Sequence, residues 1–208
     1  MKILIADDHS LLREGLKKIV KDIPAVTAVD EAADGREALT RIRENDYDLL
    51  ILDISMPSLS GLDVLQSMKD SGIECRSLIL SLHPEDVYAS RAFKLGSVGY
   101  ISKSASFEEI RAAVLKVTAG GRYVSAQLAE QLAFNEKESK MPHETLSDRE
   151  FQVMILLAEG KGLSEIADQI CISDKTVSTY RTRIMKKMNM QSNAELTIYT
   201  MKNKILVT

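Results

Sequence analysis

The sequence has few of the features that mark exported, membrane-bound or disulfide-stabilised proteins. Only two cysteines occur in 208 residues, Cys75 and Cys171, and they do not have the spacing of metal ligands. Free thiols are therefore expected, not a disulfide or a zinc site. No apolar run approaches the roughly 18 residues that a membrane span needs. The N-terminus, MKILIADD, reaches two aspartates after four apolar residues, so we expect no signal peptide and a cytoplasmic protein without membrane contact.

The net charge is small, at −3, but it is unevenly distributed. Residues 147–208 contain nine Lys and Arg against seven Asp and Glu, a net +2, which leaves 18 against 23, a net −5, for residues 1–146. An acidic first part and a basic second part often accompany a nucleic-acid-binding module, although +2 by itself is a minor indication. The length allows one or two domains with a full hydrophobic core.

Short apolar runs alternate with amphipathic helical patterns through the first 117 residues. A helix is predicted after each of five strands, which we place at Lys2–Ala6, Val26–Glu31, Asp48–Leu52, Ser77–Ser81 and Val98–Ile101. Capping boxes are predicted at three of the helix starts, from the pairs Asp34 with Glu37, Ser60 with Asp63, and Ser106 with Glu109. The alternation predicts an α/β fold, a doubly wound five-stranded parallel sheet with helices on both faces.

The stretch LLILDISMP, residues 49–57, combines a buried-strand pattern with a single carboxylate. Its apolar run leads directly into Asp53, and the chain then turns at Met56 and Pro57. An apolar run of this length, bounded by a turn, predicts a strand buried on both faces of a parallel sheet. Taken alone, Asp53 is as well explained as a helix cap or a loop residue.

Other polar side chains follow the predicted strands. The set consists of Asp7, Asp8, Asp53, Ser81 and Lys103. Because the carboxyl ends of parallel strands lie at one edge of a sheet, we expect these side chains to converge. Three carboxylates favour a divalent cation such as Mg²⁺, and a lysine and a hydroxyl beside them describe a pocket for a phosphoryl group. His9 and His83 flank this pocket, and exposed loop histidines are the simpler interpretation of both.

Together with Tyr100, these residues resemble the receiver domain of bacterial two-component response regulators, which has a CheY-like fold. The resemblance implies that Asp53 is the phosphoacceptor. It also implies that Mg²⁺ is bound by Asp8, Asp53 and the backbone carbonyl of Ser55, with Asp7 assisting through water. A carboxylate can accept a phosphoryl group when cations neutralise and position the incoming oxygens.

The same resemblance assigns the remaining pocket residues. Ser81 and Tyr100 are implied to be a switch pair that shifts toward the phosphoryl group, and Lys103 to pair with its oxygens. Two positions depart from the usual family pattern. Ser104 stands where a proline commonly follows the lysine, and Leu82 is bulkier than the residue often found after the switch hydroxyl.

The pattern changes after residue 118. Residues 119–121, Ala-Gly-Gly, end the preceding helix, residues 125–134 have a helical pattern, and residues 135–144 have the composition of an exposed connector. We therefore predict three parts: a receiver domain at 1–118, a linker with a helix at 119–146, and a small all-α domain at 147–208.

The last 62 residues contain the pattern of a helix-turn-helix. A helix is predicted to begin after Ser147, which forms a further capping box with Glu150. A short helix spans residues 163–170, and a tight turn at Cys171 and Ile172 leads to a longer helix from Ser173 to Met188. Residues 175–187 contain five basic residues and no acidic ones. A solvated helix face is one explanation, but interleaved hydroxyls fit phosphate contacts and base readout better.

The segments LSDRE, ISDKTVSTY and the following KKM resemble a LuxR-type DNA-binding domain, joined to a receiver as in NarL/FixJ-type response regulators. By that resemblance Ser178, Thr179 and Thr182 lie at base-reading positions. Candidates for phosphate contacts are Lys175, Arg181, Arg183 and Lys186. A last helix near residues 192–201 is expected to cover the core and to contribute to a two-fold contact.

The resulting prediction is a DNA-binding transcription factor that a sensor histidine kinase phosphorylates on Asp53 and that binds promoter DNA as a homodimer, with RNA polymerase as a further partner. It is not an enzyme beyond its own phosphorylation and dephosphorylation. One alternative is a phosphotransferase or phosphatase, but Ser55 stands where such enzymes have a second carboxylate. The other is a DNA-binding protein whose receiver no longer responds to phosphorylation.

Overall fold

A computed structural model describes residues 1–126, 128–130 and 141–206. The chain divides into two compact units, residues 1–133 and 134–208. Among the described residues, no helix has the length and apolar character needed to cross a membrane. Both cysteines are free thiols, as the sequence predicts.

The first unit is the predicted doubly wound α/β domain. Its strands and helices alternate in the order β1 (Lys2–Ala6), α1 (Ser10–Lys21), β2 (Ala28–Ala32), α2 (Gly35–Glu44), β3 (Leu49–Leu52), α3 (Gly61–Asp70), β4 (Arg76–Ser81), α4 (Glu85–Lys94), β5 (Gly99–Ser102) and α5 (Phe107–Thr118). All pairings are parallel, in the order β2-β1-β3-β4-β5. The predicted fold is confirmed.

The bounds of β1 are as predicted, and those of the other strands differ from the predicted ones by one or two residues. The largest difference is at β2, which begins at Ala28 instead of Val26. The Val26 amide donates to the carbonyl of Ile23 and the Thr27 amide to that of Met1, so these residues form a turn before the ladder begins. Apolar character alone does not distinguish such a turn from the strand that follows it.

The core of this unit surrounds β3, the central strand. Leu49, Leu50, Ile51 and Leu52 are all buried, which is the reason why their run is continuously apolar. One face of the sheet, which carries Leu49 and Ile51, packs against two helices through Leu16 and Val20 of α1 and Ile110 and Val114 of α5. The buried strand therefore fixes the backbone position of Asp53, which follows its carboxyl end.

Helix capping follows the predictions with one difference. Ser60 and Ser106 form complete capping boxes with Asp63 and Glu109. Asp34 caps α2 by accepting from the amides of Arg36 and Glu37, but the Glu37 carboxylate accepts from the amide of Ala33 instead of that of Asp34.

A short segment after α5 covers the open edge of β5. Tyr123 accepts from the Tyr100 amide at 3.1 Å and donates its own amide to the carbonyl of Val98 at 3.0 Å. The Arg76 guanidinium donates to the carbonyl of Gly121 at 2.6 Å. We refer to residues 121–125 as the edge segment. The helix predicted at 125–134 begins here, since residues 126 and 128–130 are helical and Leu128 is buried, while its remainder lies outside the described residues.

The second unit is all-helical where it is described. A single 3₁₀ turn, Pro142–Thr145, precedes α6 (Asp148–Ala158), α7 (Leu163–Gln169), α8 (Asp174–Met188) and α9 (Asn193–Lys202). Ser147 caps α6 in the predicted box with Glu150. Between α7 and α8 the chain turns sharply, with Cys171 at a positive φ of 54°. The predicted helix-turn-helix is confirmed.

Candidate functional site

The carboxylates predicted at the sheet edge do converge. Asp53 follows β3, and its amide donates to the carbonyl of Ala6 in β1 at 2.9 Å, which brings β3 and the Asp7–Asp8 pair together. One ligand atom from each of Asp7, Asp8, His9 and Asp53 lies within 4.8 Å of the others. Asp7 and Asp53 are almost fully buried, at 1% and 2% exposure. The first unit therefore has an acidic pocket whose oxygen atoms are compatible with Mg²⁺.

Lys103 neutralises part of this charge. Its ammonium lies 2.7 Å from Asp7 Oδ2 and 2.8 Å from Asp53 Oδ2. The backbone amide of Lys103 donates to the carbonyl of Ser81 at 2.9 Å, which fixes the loop that carries the lysine. Burial lowers the pKa of Lys103, but hydrogen bonds to Asp53 and Asp7 outweigh that effect and raise it above its usual value. Lys103 is therefore a fixed positive charge between two carboxylates.

Asp53 has an unusual pKa for an aspartate. Its pKa is raised from 3.8 to about 6: burial is the main cause, the charge of Asp7 adds to it, and the hydrogen bond and charge of Lys103 partly offset the rise. The group is thus mainly ionised at neutral pH and is poorly solvated. A carboxylate in that state is a suitable nucleophile for an electrophilic phosphorus.

The loop between β4 and α4 connects the other predicted pocket residues through His83. The His83 amide donates to Ser81 Oγ at 3.1 Å, and the buried Tyr100 hydroxyl donates to the His83 carbonyl at 3.0 Å. The His83 ring lies 2.6 Å from Ser55 Oγ, measured from Nε2, and stacks on Tyr88. Ser81, Tyr100 and Ser55 therefore all contact a residue that sequence reasoning placed only at the pocket mouth, and its position two residues after Ser81 was the available signal.

Helix α8 presents the predicted polar surface. Val177, Ile184 and Met188 are buried in the second unit, and Tyr180 is half-buried. The predicted DNA contacts that are exposed are Lys175, Ser178, Thr179, Thr182, Arg183 and Lys186. The Thr179 and Thr182 hydroxyls donate to helix carbonyls four residues earlier, at 2.9 and 3.0 Å, so their outward oxygen lone pairs can accept hydrogen bonds.

Two basic residues of α8 have partners inside the second unit. Arg181 is half-buried, and its Nε donates to Asn193 Oδ1 at the start of α9 at 2.9 Å. Lys187 donates to the buried Glu150 carboxylate at 2.6 Å. Burial raises the pKa of Glu150, but the hydrogen bonds from Lys187 and Ser147 and the charge of Lys187 together outweigh burial, so the pKa lies below its usual value. These two side chains fasten α8 to α9 and α6.

The position of α8 relative to α7 is also fixed. Ser164 Oγ at the start of α7 donates to Asp174 Oδ2 at 2.6 Å. Arg149 of α6 donates to the carbonyl of Ile170 at the end of α7 at 2.7 Å. These two hydrogen bonds hold α6, α7 and α8 in one arrangement.

Comparison with known proteins decides the family. The model described as "Response regulator receiver domain" matches residues 3–115, which is more than half of the chain, and "Bacterial regulatory proteins, luxR family" matches residues 144–200. The chain is a response regulator with a LuxR-type DNA-binding domain. The predicted membership of the NarL/FixJ type is confirmed by the relatives that this response regulator matches.

Curated relatives match the response regulator over nearly its whole length. "Response regulator UvrY" of Escherichia coli is 34% identical over 200 residues, which cover 95% of this chain and 92% of UvrY. "Response regulator GacA" of Pseudomonas aeruginosa is 34% identical over 206 residues, covering 98% of this chain and 96% of GacA.

Solved structures match it as well. RcsB from Salmonella enterica serovar Typhimurium, bound to promoter rprA in the presence of the phosphomimetic BeF₃⁻, is 25% identical with a TM-score of 0.69, covering 96% of this chain and 98% of RcsB. A LuxR-family two-component response regulator from Aurantimonas sp. is 31% identical with a TM-score of 0.59, covering 64% of this chain and 94% of that one.

Proposed function

We propose that this response regulator is switched by phosphorylation of Asp53 and that its phosphorylated form binds promoter DNA as a homodimer to regulate transcription. The observation that carries the proposal is the placement of Lys103 between Asp7 and Asp53, beside the cluster that also contains Asp8. An acceptor carboxylate, a fixed cation and metal-ligating oxygens are the parts that phosphoryl transfer requires.

In this proposal Asp53 attacks the phosphorus of a phosphohistidine on a sensor histidine kinase, and the histidine nitrogen leaves. Asp8, Asp53 and the Ser55 carbonyl would hold Mg²⁺, with Asp7 acting through water. When bound, the ion neutralises charge on the phosphoryl oxygens. Lys103 would exchange one carboxylate oxygen for a phosphoryl oxygen, because its ammonium already lies 2.8 Å from Asp53 Oδ2.

Ser81 and Tyr100 are proposed to report the change. Both bond to the backbone of His83, so a movement of Ser81 toward the phosphoryl group would also displace the partner of the Tyr100 hydroxyl. The β4–α4 loop would then move as one piece. Such loops are bistable elements that a local charge change can shift.

On DNA, helix α8 is proposed to enter the major groove. Ser178, Thr179 and Thr182 would read base edges, and Lys175, Arg181, Arg183 and Lys186 would contact phosphates. RcsB supports this reading as a relative that was solved on promoter DNA with a phosphomimetic. Ile198 and Met201 on α9 are exposed apolar residues that would contribute to the dimer contact. RNA polymerase would be a further partner, and the protein would act in the cytoplasm.

The proposal is tested by measuring operator affinity for wild type and Asp53→Ala, each with and without acetyl phosphate. Operators are first recovered from genomic DNA bound by the phosphorylated protein. We expect acetyl phosphate to tighten binding by wild type only, while Asp46→Ala, a change at an exposed aspartate, behaves like wild type. An identical response of wild type and Asp53→Ala would show that the receiver is not a phosphorylation switch.

The enzyme alternative is separated by a turnover assay. Wild type is incubated with acetyl phosphate and, separately, with a small phosphomonoester. A response regulator incorporates about one phosphoryl group per chain from the acyl phosphate and leaves the ester intact. Steady multiple turnover of the ester would instead identify a phosphatase.

A further inference from the structure

Arg13 of α1 is a charged residue beside the acidic pocket that the proposed mechanism does not use. Its side chain is only 14% exposed, and its Nη1 donates to the backbone carbonyl of Asp7 at 2.5 Å. That carbonyl belongs to the peptide that joins Asp7 to Asp8. The guanidinium therefore contacts the backbone that carries two of the pocket carboxylates.

Glu31 of β2 holds the guanidinium from its other side. Arg13 Nε lies 3.4 Å from Glu31 Oε2, and the ammonium of Lys17, one turn further along α1, contacts Glu31 Oε1. The hydrogen bond from Lys17 lowers the pKa of Glu31, burial partly offsets this effect, and the charges of Lys17 and Arg13 lower the pKa further. Glu31 is therefore an anion at neutral pH and fixes Arg13 between β2 and the Asp7 carbonyl.

The two neighbouring aspartates differ in how their carboxylates are held. Asp7 is buried, and its carboxylate accepts from the Lys103 ammonium at 2.7 Å and from the His9 amide at 2.8 Å. Asp8 is exposed, so the direction of its carboxylate depends more on the orientation of its own backbone. A hydrogen bond that fixes the peptide between Asp7 and Asp8 therefore bears chiefly on Asp8, one of the proposed Mg²⁺ ligands.

We infer that Arg13 is a positioning residue of the proposed Mg²⁺ site, which orients the peptide between Asp7 and Asp8 and so directs the Asp8 carboxylate toward the ion. The inference rests on the proposed function and adds to it a residue that touches neither the metal nor the phosphoryl group. Partners that orient metal ligands by hydrogen bonding typically change metal affinity by about 10- to 100-fold when they are removed.

The charge of Arg13 and its hydrogen bond predict opposite effects on Mg²⁺ affinity. A nearby guanidinium repels the ion, so by charge alone its removal should tighten Mg²⁺ binding. Loss of the bond to the Asp7 carbonyl should instead weaken it. Lys17 provides the matched control, because it has the same charge, lies on the same helix and contacts the same Glu31 carboxylate, whereas it is Arg13 that donates to the Asp7 carbonyl.

The direct test is titration calorimetry of the full chain with MgCl₂ in the absence of a phosphodonor. Arg13→Gln should weaken Mg²⁺ binding by about tenfold or more, whereas Lys17→Gln should not weaken it. Arg13→Lys keeps the charge but has a single nitrogen in place of the guanidinium, so binding should still weaken by about threefold or more. Equal affinities in Arg13→Gln and Lys17→Gln would overturn the inference. Circular dichroism establishes that each variant is folded, and if Arg13→Gln is not, an affinity of Arg13→Lys equal to that of wild type would overturn it.

Phosphorylation by acetyl phosphate at a series of Mg²⁺ concentrations separates positioning of the metal from an effect on the reaction. In Arg13→Gln the Mg²⁺ concentration that gives half the maximal rate should rise by the same factor as the dissociation constant, while the rate at saturating Mg²⁺ stays within about twofold of wild type. A lower saturating rate with unchanged Mg²⁺ affinity would overturn the inference and leave the proposed function intact. Wild type that neither binds Mg²⁺ nor becomes phosphorylated would overturn the proposed function itself.

Discussion

At the scale of single residues, Asp53 is held where its charge opposes folding. Its pKa in the folded protein is about 6, mainly because of burial, against 3.8 for an ordinary aspartate. A carboxyl group whose folded pKa is raised contributes stability that is fully present below the unfolded pKa and is lost as the pH rises through the folded value. The receiver should therefore lose stability between about pH 4 and pH 6 on account of this group.

Asp53→Asn should stabilise the receiver at pH 8 in metal-free buffer. A pKa difference of about two units corresponds to roughly 3 kcal/mol in the free energy of unfolding. The expected gain is smaller, on the order of 2 kcal/mol, because the amide leaves Lys103 with a single carboxylate partner. Differential scanning calorimetry of the receiver transition measures the gain, which should shrink toward zero at pH 3.5. Asp46→Asn, at an exposed position, should leave the transition unchanged at both values. A lower transition temperature for Asp53→Asn at pH 8 would contradict this account.

Residue-level prediction from the sequence works where the fold imposes the juxtaposition. The proximity of Asp7, Asp53 and Lys103 could be predicted because each residue directly follows a strand of a parallel sheet. The bonds of His83 could not, because they depend on the conformation of one loop. Likewise the partner of Arg181, Asn193, lies on another helix, and no local pattern relates the two.

At the scale of elements, α8 separates basic residues that are available to DNA from those used internally. Lys186 is exposed, whereas Arg181 bonds to Asn193 and Lys187 to Glu150. Loss of Arg181 would therefore disturb the attachment of α9 as well as any phosphate contact. Lys186 is the cleaner probe of the electrostatic contribution.

Lys186→Ala should weaken binding to all DNA sequences and reduce the slope of log K against log salt by about 0.9, the value for one lost phosphate contact. Thr179→Ala should mainly change which base is preferred. Fluorescence anisotropy at several salt concentrations, with a panel of singly substituted operators, measures both effects. Lys202→Ala, an exposed lysine on α9, is the control and should leave the slope unchanged. A uniform loss of affinity in Thr179→Ala would contradict the assignment.

Regular elements were predictable because burial imposes a period on the sequence. The continuous apolar run of β3 and the apolar positions of α8 carry this signal of burial, and the capping boxes of α3, α5 and α6 carry a second signal, a fixed residue spacing. The edge segment does not, because only Tyr123 pairs with the sheet there and one bridging residue has no period.

At the scale of the whole molecule, the edge segment connects the start of the predicted linker to Tyr100, one of the proposed switch residues. Tyr100 bonds through its hydroxyl to the His83 carbonyl and through its amide to the Tyr123 carbonyl. Glu85, two residues after His83, accepts from the Ser125 amide at 3.2 Å. Movement of the β4–α4 loop therefore has a continuous hydrogen-bonded route to the linker.

Glu85→Ala should remove one connection of this route. In wild type, we expect beryllofluoride bound at Asp53 to change hydrogen exchange at the Ser125 amide. In Glu85→Ala, exchange at this amide should be faster and should no longer change, although beryllofluoride still binds at Asp53. Glu108→Ala, which removes an exposed acid from the first turn of α5, should behave like wild type. Unchanged exchange at Ser125 in Glu85→Ala would show that the contact does not couple the two elements.

The edge segment also bears on where the receiver can be cut. A fragment ending at residue 118 would strip Tyr123 from β5 and leave the amide of Tyr100 without its partner on an open sheet edge. Exposed edges of this kind pair with other chains. Light scattering should therefore find concentration-dependent self-association for residues 1–118 and a monodisperse species for residues 1–130 without a phosphodonor. Gly99, where a Cβ would lie 3.2 Å from the Cβ of Tyr123, lets the edge segment approach β5 closely. We therefore expect residues outside the compact sheet to protect its edge from association with other chains.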